Sequence, residues 1–193
     1  METLGKLFGS VNQVKVMRLF LLNPELVLSV KEVSERGKIK QPMASRELKL
    51  LEAVGFLLPK KKGNIRLWQL DPSFPFISPL RDILKNDLIS RKKQLIQQFS
   101  RCGKIGLIVI SGVFLGDSES RADLLIVGNK LKRTSITRVI KDLEAEVGKE
   151  LNYAVLDTAD FQYRLNACDK FVRDVLDYPH SVILDKVGLS TAL

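Results

Sequence analysis

The residues of this chain best suited to chemistry lie between two apolar runs: Gly112, Ser120, Arg121 and Asp123. The runs are Ile105-Gly106-Leu107-Ile108-Val109-Ile110 and Leu124-Leu125-Ile126-Val127, and the stretch between them also holds Gly116, Asp117, Ser118 and Glu119. Two short apolar runs joined by a segment rich in Gly and Ser predict two buried strands and a loop. A glycine loop followed by carboxylates entering a strand can hold a divalent cation against a triphosphate. Alternate residues of a strand point the same way, so acids spaced by two can share one metal.

The elements that must position this loop come after it in the chain. Thr134 or Ser135 is placed to cap a helix carrying Ile136, Val139, Ile140, Leu143 and Val147, which stops at Gly148. Residues 150–156 alternate as a strand. Thr158 is expected to cap a helix with Asp160, Phe161, Tyr163 and Leu165, and a last helix takes in Phe171, Val172, Val175 and Leu176. Strand, strand, helix, strand, helix makes a small mixed sheet with helices packed on it.

This pattern resembles the nucleotidyltransferase superfamily. There a Gly-Ser follows the first strand, a Ser-Asp-x-Asp segment enters the second, and a third carboxylate sits on a later strand. Here Gly112 stands at the glycine and Val113 replaces the serine. Ser120 and Asp123 match the serine and the second aspartate. Arg121 occupies the first aspartate position, and the third acid falls near Asn152. The resemblance thus implies a nucleotidyltransferase-like domain stripped of most of its metal-binding charge. A guanidinium ~4 Å from a cation, at an effective dielectric of ~20, repels each unit of charge by about 4 kcal/mol. The expectation is therefore no catalytic residue, no metal and no cofactor, with Asp123 paired to Arg121 or another cation. A nucleotide ligand could still meet Arg121 and the backbone N–H groups of the 112–120 loop. Mg²⁺ chemistry belongs to an alternative in which Asp117, Glu119 or Asp157 completes the site.

Charge is unevenly placed. The net charge is +9, yet residues 1–100 hold 18 Lys and Arg against 9 Asp and Glu, whereas residues 101–193 hold 13 of each. The whole excess lies in the first half, which points that half at a polyanion, with nucleic acid the leading partner. One histidine, His180, argues against a histidine-dependent triad or a zinc site. Two cysteines, Cys102 and Cys168, cannot frame a disulfide fold and are expected as free thiols. No apolar run reaches the ~18 residues of a membrane helix, and the start of the chain lacks a basic region followed by an apolar stretch. A cytoplasmic chain with no membrane partner is expected.

In the basic half, Leu7, Val11, Val14, Met17, Leu21 and Leu22 recur at helical spacing, with Lys15 and Arg18 on the other face. This predicts a helix over 10–22 that stops at Asn23-Pro24. Ser29 and Glu32 form a capping box for a short helix ending at Gly37, where a left-handed cap is expected. Pro42 opens a third helix that runs through Met43, Leu48, Leu51 and Val54, expected as its apolar face, to Gly55. Phe56-Leu57-Leu58 and residues 65–70 then read as a hairpin, with a basic tip over 59–64. Three short helices followed by a basic hairpin resemble the winged helix-turn-helix domain of bacterial transcriptional regulators, over about residues 8–72. The run from Ser45 to Leu57 resembles the recognition helix and the entry to the wing in that family.

The resemblance implies a recognition helix in the major groove, with Lys38, Lys40, Gln41, Ser45, Arg46 and Lys49 near its leading half. Arg46 is the candidate for bidentate contact with guanine, while Lys60, Lys61, Lys62 and Arg66 on the wing can meet phosphate. Three prolines in Asp71–Pro79 mark a boundary, and Phe74, Phe76 and Ile77 are expected to pack on a domain. The connecting helix from Leu80 carries Ile83, Leu84, Asp87, Leu88, Leu95, Ile96 and Phe99 on its stripe, with Arg91, Lys92 and Lys93 outside. Its stripe either packs on the second domain or makes a homodimer.

The expected fold is α+β. A winged helix-turn-helix domain (1–72) leads through a proline-rich linker and connecting helix (73–101) to a small mixed-sheet nucleotidyltransferase-like α/β domain (102–193). The expected function is a sequence-specific regulator of transcription that binds double-stranded DNA, with the second domain used for sensing or assembly. The alternatives are an active Mg-dependent nucleotidyltransferase targeted by its winged helix, and a protein-interaction adaptor.

Overall fold

A computed structural model describes residues 2–90, 92–116 and 120–189. The fold is α+β, and it divides into two compact units, each with its own small sheet. The first unit gathers residues up to 87 together with 142–150, and the second holds 88–141 and 151–193.

In the first unit, α1 (Glu2–Leu7) and α2 (Val11–Leu22) are separate helices. The expected single stripe from Leu7 onward is broken at Gly9, whose φ of 80° no helix continues. Leu7 is consequently 71% exposed rather than part of the α2 stripe. Ser10 caps α2, its Oγ accepting from the Gln13 N–H at 3.2 Å. Arg18, expected on the outer face, is instead buried. Strand β1 (Leu28–Ser29), which the local pattern did not announce, leads into α3 (Val30–Gly37). Both halves of the Ser29–Glu32 capping box are present.

Lys38 ends α3 in the left-handed region (φ 48°, ψ 50°), and α4 (Gln41–Ala53) begins with Pro42 in its first turn. The hairpin of β2 (Leu57–Lys62) and β3 (Ile65–Leu70) closes on a two-residue tip, Gly63-Asn64. Residues 59–62 are thus strand rather than loop, because Lys62 pairs directly with Ile65. The sheet order is β1-β3-β2, all antiparallel.

The core of this unit joins Val14, Met17, Phe20, Val33, Leu48 and Trp68. Phe74, Ile77 and Leu80 pack against it, with Phe74 edge-to-face on Phe56 at 5.4 Å; Phe76 stays largely exposed. The connecting helix starts at Ile77, earlier than expected, and is assigned as α5 (Ile77–Ser90) and α6 (Lys92–Phe99). Leu84, Leu95 and Phe99 are buried, as the stripe predicted. The side chains of Asp87 and Leu88, and all of Arg91, fall outside the described residues.

In the second unit, β4 (Lys104–Ser111) and β5 (Leu124–Asn129) pair antiparallel, and β6 (Tyr153–Leu156) lies parallel to β5. Between β5 and β6 the chain forms α7 (Arg133–Val147), two or three residues longer at its start than a Thr134 or Ser135 cap would allow. Next comes α8 (Thr158–Asn166), capped by the Asp157 carboxylate on the Asp160 N–H at 2.7 Å rather than by Thr158. After α9 (Lys170–Asp177) a fourth strand, β7 (His180–Asp185), pairs antiparallel with β4, a strand missing from the sequence expectation. The order is β6-β5-β4-β7. Leu124 through Val127 are buried on both faces of the sheet, which is why that segment reads as an unbroken apolar run.

Candidate functional site

Two groups of candidate residues emerge, one in each unit. In the first, α4 turns Ala44, Leu48 and Leu51 into the core and leaves Gln41, Arg46 and Lys49 exposed, with Ser45 half-buried. Pro42, Ser45, Arg46, Lys49 and Leu50 line an open depression along this face. Lys40 precedes the first helical residue and is exposed; its side chain makes no capping bond. The leading half of α4 therefore brings together a guanidinium, an ammonium, an amide and a hydroxyl on one accessible surface.

The hairpin register separates Lys60, Lys61 and Lys62. Leu57, Pro59 and Lys61 face the same way as Leu70, Trp68 and Arg66, which is the core side of the sheet. Lys60 and Lys62 point to the opposite side. All three are exposed. Arg66 is already engaged: it pairs with Glu52 on α4 and stacks over the Trp68 ring, 5.5 Å from its centroid. Glu52 Oε2 also accepts from Trp68 Nε1 at 2.8 Å. Glu52, to which no sequence motif points, thus fastens the β2–β3 hairpin to α4. Lys38 is engaged as well, its Nζ 2.6 Å from Asp142 Oδ1.

Nearby, burial pulls the Lys15 ammonium below its ordinary value, against the raising fields of Glu146 and Asp142. Lys15 Nζ donates to the Gly37 carbonyl at 3.1 Å, at the end of α3.

The loop of the second unit is built around Asp123. Its Oδ1 accepts from the Val113 N–H at 2.7 Å and its Oδ2 from the Asn152 N–H at 2.8 Å. The backbone completes the bracket: the Ser111 N–H donates to the Asp123 carbonyl at 3.0 Å, and the Asp123 N–H to the Asn152 carbonyl at 2.7 Å. One carboxylate therefore ties the start of β5 to the turn after β4 (a 3₁₀ turn over Gly112–Phe114) and to the approach to β6. Gly112 has φ 53°, and a Cβ there would overlap the Asp123 carboxylate, so the glycine is required by the bracket itself. Ser120 shares this network, its Oγ 2.7 Å from Ser111 Oγ and 2.8 Å from the Ala122 carbonyl.

The expected Arg121–Asp123 pair does not form. Arg121 Nε lies 2.5 Å from Asp174 Oδ2 on α9, while the backbone satisfies Asp123. The Val113 N–H, one of the amides expected to meet a nucleotide, is spent on Asp123. Asn152 contributes its backbone rather than an acid. Asp117 and Glu119 lie outside the described residues, and Asp157 is committed to the α8 cap. Among the described residues, no group of three or more His, Cys, Asp or Glu side chains is placed to hold a metal ion. Cys102 and Cys168 are free, and burial raises the Cys102 thiol above its ordinary value, disfavouring the thiolate.

Among the described residues no helix is long and apolar enough to cross a membrane. No protein-family model, curated protein or solved structure matches this chain.

Proposed function

We propose that the protein is a sequence-specific regulator that binds double-stranded DNA through a winged helix-turn-helix formed by its first unit. The observation that carries this reading is the exposed face of α4, where Gln41, Arg46 and Lys49 stand clear of the core beside the basic hairpin fastened to the same helix by Glu52. The order α2, β1, α3, α4, β2, β3 with a three-stranded antiparallel sheet supports the winged-helix assignment. A 13-residue helix is roughly 20 Å long and fits the major groove, where Arg46 can read guanine and Gln41 adenine. Lys60, Lys61 and Lys62 supply phosphate contacts without sequence information. The second unit is proposed as a non-catalytic nucleotidyltransferase-like domain. Support comes from Asp123 serving as a backbone bracket and Arg121 being drawn to Asp174.

Selection of bound sequences from random duplex DNA, followed by binding at graded salt with the full chain, tests the proposal. Replacing Arg46 with Ala relaxes preference at one base position, at a cost of about 1–3 kcal/mol. Each wing lysine that meets a phosphate contributes about 0.9 to the slope of log affinity against log salt. Arg66→Ala leaves that slope unchanged, since Glu52 holds the guanidinium. No salt-dependent duplex binding by the intact protein removes the reading. Transfer of label from a nucleoside triphosphate that is lost in Asp123→Ala would overturn the non-catalytic assignment.

A further inference from the structure

The first unit is completed by a piece of chain that arrives late. Residues 142–150 belong to it, although β4 and β5 lie between them and the rest of that unit in sequence. Helix α7 runs from Arg133 to Val147, so residues 133–141 belong to the second unit and 142–147 to the first.

The join is specific and largely polar. The last carbonyls of any helix lack partners within it. At the end of α7 these partners are side chains of α2 and its cap. Arg18 Nη1 donates to the Glu146 carbonyl at 3.3 Å, and Asn23 Nδ2 to the Gly148 carbonyl at 2.7 Å. The same Asn23 amide donates to the Leu19 carbonyl at 2.7 Å, so one side chain closes the C-termini of two helices. Arg18 and Asn23 are both buried, and a cation at a helix C-terminus is favoured by the helix dipole. Gly148 turns out of the helix with φ 84°, and a Cβ there would lie 2.7 Å from Leu19 N and Cα. Its backbone is seated directly on the backbone of α2. At the other end of the segment Asp142 pairs with Lys38, in the turn between α3 and α4.

We propose that residues 142–150 are a clamp that holds α2 and the α3–α4 turn in the arrangement that presents α4, and that opening the clamp lowers affinity for DNA. This rests on the DNA-binding reading for its functional consequence, but not for its structural one. The clamp is the end of a helix that begins in the second unit, so the two units share α7 as a continuous element.

The test uses the full chain carrying Gly148→Ala, which wedges the segment from Leu19, and separately Asn23→Ala, which removes the bridging donor without adding bulk. Amide hydrogen exchange and duplex binding are measured on each. The expected result is at least tenfold faster exchange across α2 and α3, unchanged exchange in β4 and β5, and at least tenfold weaker DNA binding. Unchanged exchange in α2 for either soluble variant overturns the clamp. Equal loosening of β4 and β5 overturns it too, since the effect would then be global. Faster exchange confined to α2 and α3 with full DNA affinity overturns the link to α4. If the wild type binds no duplex, the exchange pattern alone decides the clamp while the DNA-binding reading falls separately.

Discussion

Replacing Asp123 with Ala separates a structural carboxylate from a metal-binding one. In the folded chain both oxygens of Asp123 accept backbone N–H groups, from Val113 and Asn152, in a site where the residue is 8% exposed. Alanine leaves two part-buried donors without acceptors. A fully buried orphan costs about 1–3 kcal/mol and water reaches these two in part, so the pair costs about 2 kcal/mol. Against a total stability of roughly 5–15 kcal/mol this is a large fraction, and it lowers the melting temperature by upwards of about 4 °C. Gly112→Ala gives a loss of the same kind, because its Cβ would displace the same carboxylate. Calorimetry or circular dichroism melting with and without Mg²⁺ makes the comparison. A ligand held only by the folded state at a hundred times its Kd stabilises by about 2.7 kcal/mol. The bracket predicts the same melting temperature with and without Mg²⁺ in the wild type, and a large loss in the variant in both conditions. The reasoning is refuted if Mg²⁺ raises the wild-type melting temperature and Asp123→Ala abolishes that rise. It is also refuted if the variant melts within a degree of wild type.

Two further outcomes come from the same geometry. Glu52→Ala frees both Arg66 and the Trp68 indole N–H, so the hairpin loosens at a cost of about 1–3 kcal/mol. Trp68 is the only tryptophan, and its fluorescence reports the change directly; an unaltered emission spectrum would remove the latch. The hydrogen bonds from Ser29 hold the Glu32 carboxyl below its ordinary 4.5. Because the folded-state value is depressed, the capping-box contribution is fully present above pH 4.5 and fades as pH falls through the folded value. The site is exposed, so solvent screening keeps the effect at a few tenths of a kcal/mol. Glu32→Gln, which keeps an acceptor but does not titrate, should shrink the difference in melting temperature between about pH 6 and about pH 3 by about 1 °C; an unchanged difference counts against it.

The two groups of candidate residues differ in how far the sequence exposes them. The face of α4 is legible in part because it is local: Pro42 sets the helix start, and Leu48 and Leu51 at helical spacing place Gln41, Arg46 and Lys49 outside, but the fold buries Ala44 and leaves Met43 and Val54 exposed. Lys60, Lys61 and Lys62 are legible as part of a basic hairpin, but their division between two faces is not. That depends on a two-residue tip and hence on register. Around Asp123 the residue type suggests a charge partner, and the backbone supplies amides instead. The amide of Asn152 lies 29 residues away, and no local pattern reveals which N–H will face a carboxylate after three strands have paired.

Determined by the sequence alone were the elements whose causes lie within a few residues: the Ser29–Glu32 capping box, Pro42 at the head of α4, Gly148 after α7, and the apolar runs that became β4 and β5. The tertiary structure decided everything that depends on distant pairing. A helical stripe placed Arg18 in solvent, yet the fold buries it against a carbonyl 128 residues away. Strand β1, two residues long, has too few residues for a pattern of its own, and β7 is defined by its antiparallel pairing with β4. Residues 142–150 join the first unit for the same reason: hydrogen-bond donors buried in α2 require acceptors, and the end of α7 is where the folded chain provides them.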